Sequence, residues 1–135
     1  MSLAIAVTLG FGPASSAVRR VREGDRQFAS GQFDAARESF AEADVAEPEN
    51  STITFDRACA AMATGDLESA AEWFQQTALA RDPHLAAQSH YNLGCLSAEQ
   101  GRATLGDDPV AATAEQRQQG MSGLLNAASH YRDCL

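Results

Sequence analysis

The chain repeats itself with a period of 34 residues. Laying residue 24 against residue 58 pairs Gly24 with Ala58, Phe28 with Met62, Gly31 with Gly65, Phe33 with Leu67, Ala36 with Ala70 and Phe40 with Phe74. Each pair keeps its chemical type, and the intervening SGQFDAA answers to TGDLESA. No other feature constrains the fold as much. A unit of this size cannot bury its own apolar face, so successive units must stack and share one continuous core.

The residue types inside the period describe a helix, a turn and a second helix. Small residues at Gly24/Ala58 and Ala36/Ala70 suit the place where two helices cross closely. The larger apolar residues at 28, 33 and 40 recur at helical spacing and fill the space around that crossing. Gly31 and Gly65 stand where the first helix must stop in a left-handed conformation. Asp34 and Asp66 follow at the start of the second helix, where a carboxylate favours the free amides. Pro48 and Pro83 are expected to close the units, because proline cannot continue a helix.

A third copy begins but is interrupted. Tyr91-Asn92-Leu93-Gly94 restores the front of the unit, and Gly101 is expected to end its first helix. The two small residues are 12 apart in each of the first two copies; in the third, Ala127, followed by Tyr131, answers Gly94 after 33 residues, an insertion of 21. RATLGDDP, residues 102–109, is expected to be loop. TAEQRQQGMS then favours a helix from about residue 113, with Thr113 and Gln116 placed as a capping box. Gly120 and Gly123 weaken that helix and would permit a bend. An insertion of this kind commonly lies on one face of a repeat array, often the binding face.

The pattern resembles the tetratricopeptide repeat. In the first unit Gly24, Gly31, Phe33, Ala36, Phe40, Ala43 and Pro48 stand where that family places them, and in the second Ala58, Gly65, Leu67, Ala70, Phe74 and Thr77 do. The resemblance implies an all-α superhelix of about three helix-turn-helix repeats, over residues 18–50, 51–84 and 87–135, the third interrupted by the insertion. It also implies a protein-interaction module in which the first helix of each pair lines a concave groove. The groove positions are then Val21, Asp25 and Phe28; Phe55, Cys59 and Met62; and Tyr91, Cys95 and Glu99. That surface is apolar and aromatic with two acidic marks, which suits an amphipathic helix or an extended apolar peptide. Members of the family that clamp a partner's terminal carboxylate use Lys, Arg and Asn on the groove; Asp25, Cys59 and Cys95 stand at the matching sites here.

Within the family the layout is similar to the Bat-type proteins of bacterial aerotolerance clusters. The shared features are an apolar lead-in, VREGDRQFASGQFDAA, a hairpin ending in ALARDP, SHYNLGCL and a broken third repeat. This resemblance implies an envelope-associated protein acting beside von Willebrand A-domain proteins.

Composition narrows the function classes. A net charge of −8 disfavours a phosphate-backbone partner, so no nucleic acid is expected. All ten basic residues are arginine, which removes Schiff-base chemistry and the lysine of a phosphate-binding loop. The three cysteines, at 59, 95 and 134, have no zinc or dithiol spacing and are expected to be small packing residues. His84, His90 and His130 are expected in three separate elements with no carboxylate at motif spacing, and His90 where an aromatic residue packs. Asp107-Asp108 is expected as a turn and helix cap. No catalytic, cofactor or metal site is therefore expected, and no enzyme.

Residues 1–17 form an apolar lead-in, 3–11 being LAIAVTLGF. It is a signal or anchor remnant or a packing segment, and it lacks a basic region ahead of the apolar run. Arg19, Arg20, Arg22 and Arg26 follow, either beside anionic lipid or as a solvated helix face. The expected location is the cell envelope ahead of the cytoplasm. Two other readings stand beside the adaptor. One is a homodimer in which the apolar segment docks on a groove or covers the apolar end at Leu135, for which no capping element is seen. The other is a thiol sensor based on Cys59 and Cys95.

Overall fold

The computed structural model describes residues 13–135, with side chains from Ser16 onward. The apolar stretch 3–11 and its docking lie outside the described residues. Six helices follow one another: α1 Pro13–Ala29, α2 Phe33–Ala46, α3 Ser51–Thr64, α4 Leu67–Thr77, α5 Pro83–Leu105 and α6 Ala114–Arg132. No strand occurs among the described residues. Each helix packs on the next in the chain, and α3 also touches α5. The fold is all-α, an array of three helical hairpins.

Local chemistry sets the turns within hairpins. Gly31 and Gly65 have φ of 77° and 83°. Beyond each glycine the chain folds back, Gln32 N–H donating to the Gln27 carbonyl at 2.8 Å and Asp66 N–H to that of Ala61 at 2.9 Å. Asp66 then caps α4 by accepting from Ser69 N–H at 3.2 Å, and its carboxylate also holds Arg37 of α2.

The crossing contact repeats through the array. A Cβ added at Gly24 would lie 2.5 Å from the Phe40 ring, and one added at Gly94 would lie 2.5 Å from the Tyr131 ring. Tyr131 therefore takes in the third hairpin the place Phe40 takes in the first, as the delayed alignment of Ala127 and Tyr131 requires. Ala36, Phe40 and Ala60 form one buried cluster, with Phe28 against it. Ala58, Ala61, Ala70, Phe74, Leu93 and Leu96 form the central one, joining α3, α4 and α5. Beside it Thr77 and Ser89, both buried, share a hydrogen bond of 2.7 Å that ties α4 to α5.

Several expectations need correction. α1 takes in Pro13–Ala17, which the composition grouped with the lead-in, and Ala17 is buried with Ala43 and Ile53. Pro83 does not close the second unit. It is the first residue of α5, where its missing N–H costs nothing, and Asp82 caps the helix by accepting from His84 N–H at 2.9 Å. The third hairpin thus begins at 83, not 87. Gly101 does not end α5, which runs on to Leu105. Gly101 is buried against α6, and the residue that stops α5 is Gly106, with φ of 69°. Arg102–Leu105 are therefore helix and not loop.

The insertion is absorbed into a longer hairpin. α5 gains a turn, residues 106–113 form the connection, and α6 is 19 residues long, against 14 for α2 and 11 for α4. In that connection Asp108 accepts from Val110 N–H at 3.0 Å, which makes it a turn former and not the helix cap. The cap is Thr113, in the capping box its spacing with Gln116 predicts. Gly120 and Gly123 lie inside one continuous helix, α6. They are sites of close approach: a Cβ on Gly120 would meet Leu105 at 2.5 Å, and one on Gly123 would meet the Gly101 backbone at 3.0 Å.

Candidate functional site

The nine groove positions fall on α1, α3 and α5, the first helix of each pair, and none is buried. Asp25, Tyr91 and Glu99 are exposed; Val21, Phe28, Phe55, Cys59, Met62 and Cys95 are half-buried. Their half-burial has partners. Phe28 meets Phe33 edge-on at 5.0 Å, and Phe55 meets Phe74 edge-on at 5.5 Å. Phe55, Cys59 and Met62 lean on the central cluster. Tyr91 lies 5.9 Å from the Tyr131 ring, whose hydroxyl donates to Cys95 Sγ at 3.7 Å.

Three of the nine come together in one pocket. Asp25 and Phe28 of α1 and Cys59 of α3 line a cavity of about 210 Å³, with Ala29, Phe40 and Asp56 completing it. Pockets for drug-sized ligands run to roughly 300–1,000 Å³. This one is smaller, about the size of a single side chain. Val21 lines a separate cavity of about 360 Å³ with Ala17, Glu47 and Ile53. Glu99 lines clefts at the far end of α5, one of them about 530 Å³ between α4 and α5 with Leu67, Ala71 and Leu96. Five of the nine positions thus line separate clefts, and the Asp25–Asp56 carboxylate pair lies between α1 and α3.

Asp56 is the residue that the sequence reading missed. Burial, and then the neighbouring Asp25 carboxylate, push its carboxyl up to about 7. Its signal was its place three residues before Cys59, on the same face of α3, but nothing local says that Asp25 faces it across two helices. Burial and then Asp56 push the Cys59 thiol up to about 12, so it stays protonated at neutral pH and is a poor nucleophile. All three cysteines are free and half-buried.

The Asp56 shift has a measurable consequence for stability. Its folded value lies above the unfolded value of about 3.9, so between about pH 4 and about pH 7 the folded chain binds the extra proton. Stability contributed by this group is present below pH 4 and is lost as pH rises through about 7. Asp56→Asn should remove that slope, matching the unaltered chain near pH 4 and exceeding it near pH 8 in urea midpoint. Parallel pH profiles for the two proteins would reject the burial of this carboxyl.

The histidines are arranged differently from expectation. His84 and His90 share α5, and His90 faces His130 of α6 with its Nδ1 3.4 Å from the other Nδ1. His130 has a carboxylate three residues on, at Asp133. Of the four arginines after the lead-in, Arg20 pairs with Glu42 of α2 at 2.6 Å and Arg26 pairs with Glu23. No helix among the described residues is long and apolar enough to cross a membrane.

Residues 21–84 match the model of the family described as tetratricopeptide repeat. No curated protein and no solved structure gives a match. Repeats of this family generally mediate protein–protein interactions and typically serve as non-enzymatic scaffolds. The two helical hairpins across the matched span, turning at left-handed glycines and crossing at a small residue, are consistent with an all-α helical repeat of the tetratricopeptide type.

Proposed function

We propose that the chain is a non-enzymatic interaction module that binds a peptide segment of a partner protein along α1, α3 and α5, with an arginine or lysine of the partner seated between Asp25 and Asp56. The pocket carries this reading. It is sized for one side chain, walled by Phe28 and Phe40, and holds two carboxylates that face each other. A cationic head would relieve their repulsion, and the aromatic walls suit its alkyl stem and its charge. Phe55, Met62 and Tyr91 extend the surface with apolar contacts for neighbouring partner residues. A terminal carboxylate would instead meet Asp25 and Asp56, which argues against the carboxylate-clamp mode.

The Bat-type layout makes a von Willebrand A-domain protein of the cell envelope a partner to try first. Self-association through residues 3–11 is the competing reading, and the thiol-sensor reading is disfavoured by the protonated Cys59.

The test is to pan a random displayed peptide library over the full chain. Selected peptides should carry Arg or Lys beside apolar residues. They should lose roughly tenfold in affinity, about 1.4 kcal/mol, on Phe28→Ala and on a combined Asp25→Asn, Asp56→Asn variant. Peptides without a basic residue, or undiminished binding to both variants, would sink the assignment of this pocket.

A further inference from the structure

We propose that the last hairpin carries a site for one divalent transition-metal ion, best suited to zinc, made by His90 of α5 with His130 and Asp133 at the end of α6. The two histidines are 40 residues apart in sequence, and only the antiparallel pairing of α5 with α6 brings them together. Their ring centroids are 5.7 Å apart, with planes inclined by 36°. The close approach of Gly94 to Tyr131 keeps the helices near each other next to this point.

The nitrogen separation is the telling quantity. At 3.4 Å the two Nδ1 atoms make at most a long hydrogen bond, beyond the roughly 2.7–3.2 Å usual for N–H···O bonds. Two imidazole nitrogens bound to one tetrahedral zinc at about 2.0–2.1 Å must themselves lie about 3.3–3.4 Å apart. The rings therefore already hold the edge length of a tetrahedral site. One ligand atom from each of His90, His130 and Asp133 lies within 4.8 Å of the others.

The third ligand is placed by local chemistry. Asp133 follows His130 by three residues, so the helical turn sets both side chains on one face. Its N–H donates to the Ser129 carbonyl at 3.1 Å, and the Cys134 thiol donates to the His130 carbonyl at 3.2 Å. These bonds fix the backbone that presents the carboxylate. His90 and His130 are half-buried and Asp133 is exposed, so an ion enters from the solvent side. Two neutral imidazoles and one carboxylate form a borderline nitrogen–oxygen donor set, which suits zinc, with a fourth position left for water. α6 buries only Gly120 and Ala127 among its own residues. An ion here would clamp its final turn to α5 and stabilise the folded hairpin by mass action.

The experiment uses the full chain after chelator treatment and dialysis. Zinc should bind with a stoichiometry of one in calorimetry and raise the melting temperature. Cobalt should give the visible bands of a four-coordinate complex without thiolate charge transfer. His90→Ala and His130→Ala should each weaken zinc binding roughly tenfold or more, and a combined Cys95→Ser, Cys134→Ser variant, whose hydroxyls can take over the thiols' hydrogen bonds, should bind zinc as the unaltered chain does. A readout without substitution is the nuclear magnetic resonance of the histidine rings, where His90 and His130 should shift on adding zinc and His84 should not. Absence of saturable binding, loss of binding with the cysteines and not the histidines, or equal shifts at all three rings would each overturn the site.

Discussion

Phe74→Ala is expected to cost about 3–5 kcal/mol of folding stability, the range for removing a fully buried aromatic ring. Phe74 is completely buried in the central cluster, where α3, α4 and α5 meet. It shares that cluster with Ala58, Ala61 and Ala70, whose side chains are too short to fill the space, and with Leu93 and Leu96. The neighbouring side chains would close the resulting cavity only in part, and the edge-on contact with Phe55 at 5.5 Å would be lost as well. Each hairpin holds its neighbour, so the loss should spread through the array. Urea unfolding followed by the fluorescence of Trp73, the single tryptophan, reads this directly. Tyr131, the counterpart in the third hairpin, is 38% exposed, so Tyr131→Ala should cost clearly less. Equal losses at the two positions would show that the centre of the array lies elsewhere.

Gly101→Val is expected to destabilise by about 1–3 kcal/mol through overpacking. The sign is the informative part. A glycine that is merely a weak residue inside a helix gains about 0.5–1 kcal/mol on replacement by alanine. At Gly101 a Cβ would lie 2.9 Å from the Gly120 carbonyl oxygen and 3.1 Å from the Leu124 nitrogen. Those are backbone atoms, and they yield only if α6 moves away from α5. Alanine should therefore already lower stability, and valine more so. Hydrogen exchange should show amides of 101–132 losing protection while those of α2 to α4 keep it. Stabilisation by Gly101→Ala would mean that the two helices do not touch there.

The contrast between Gly65 and Gly101 explains how much of the fold was legible in the sequence. Gly65 stops α3 through a left-handed turn, and its role follows from the residues on either side of it. Gly101 occupies what looks like the same place in the third copy, yet it lies inside a helix. Its role depends on Gly120 and Leu124, which belong to another helix. The groove positions show the same division. Period and residue type place Phe28, Phe55 and Tyr91 on the first helices, but not that Asp25 would meet Asp56 in one small pocket while Val21 and Glu99 line others.

The sequence by itself determined the all-α class, the pairing of helices in units of 34, the left-handed stops at Gly31 and Gly65, the capping box at Thr113 and the delayed partner helix ending in Ala127 and Tyr131. All of these rest on interactions spanning one helical turn, or on a periodicity that the eye can lay side by side. The tertiary structure decided the run of α5 to Leu105, the backbone contact at Gly101, the raised carboxyl of Asp56 and the meeting of His90 with His130. Each depends on where two helices cross. A crossing joins side chains tens of residues apart, through packing that no single stretch of the chain encodes.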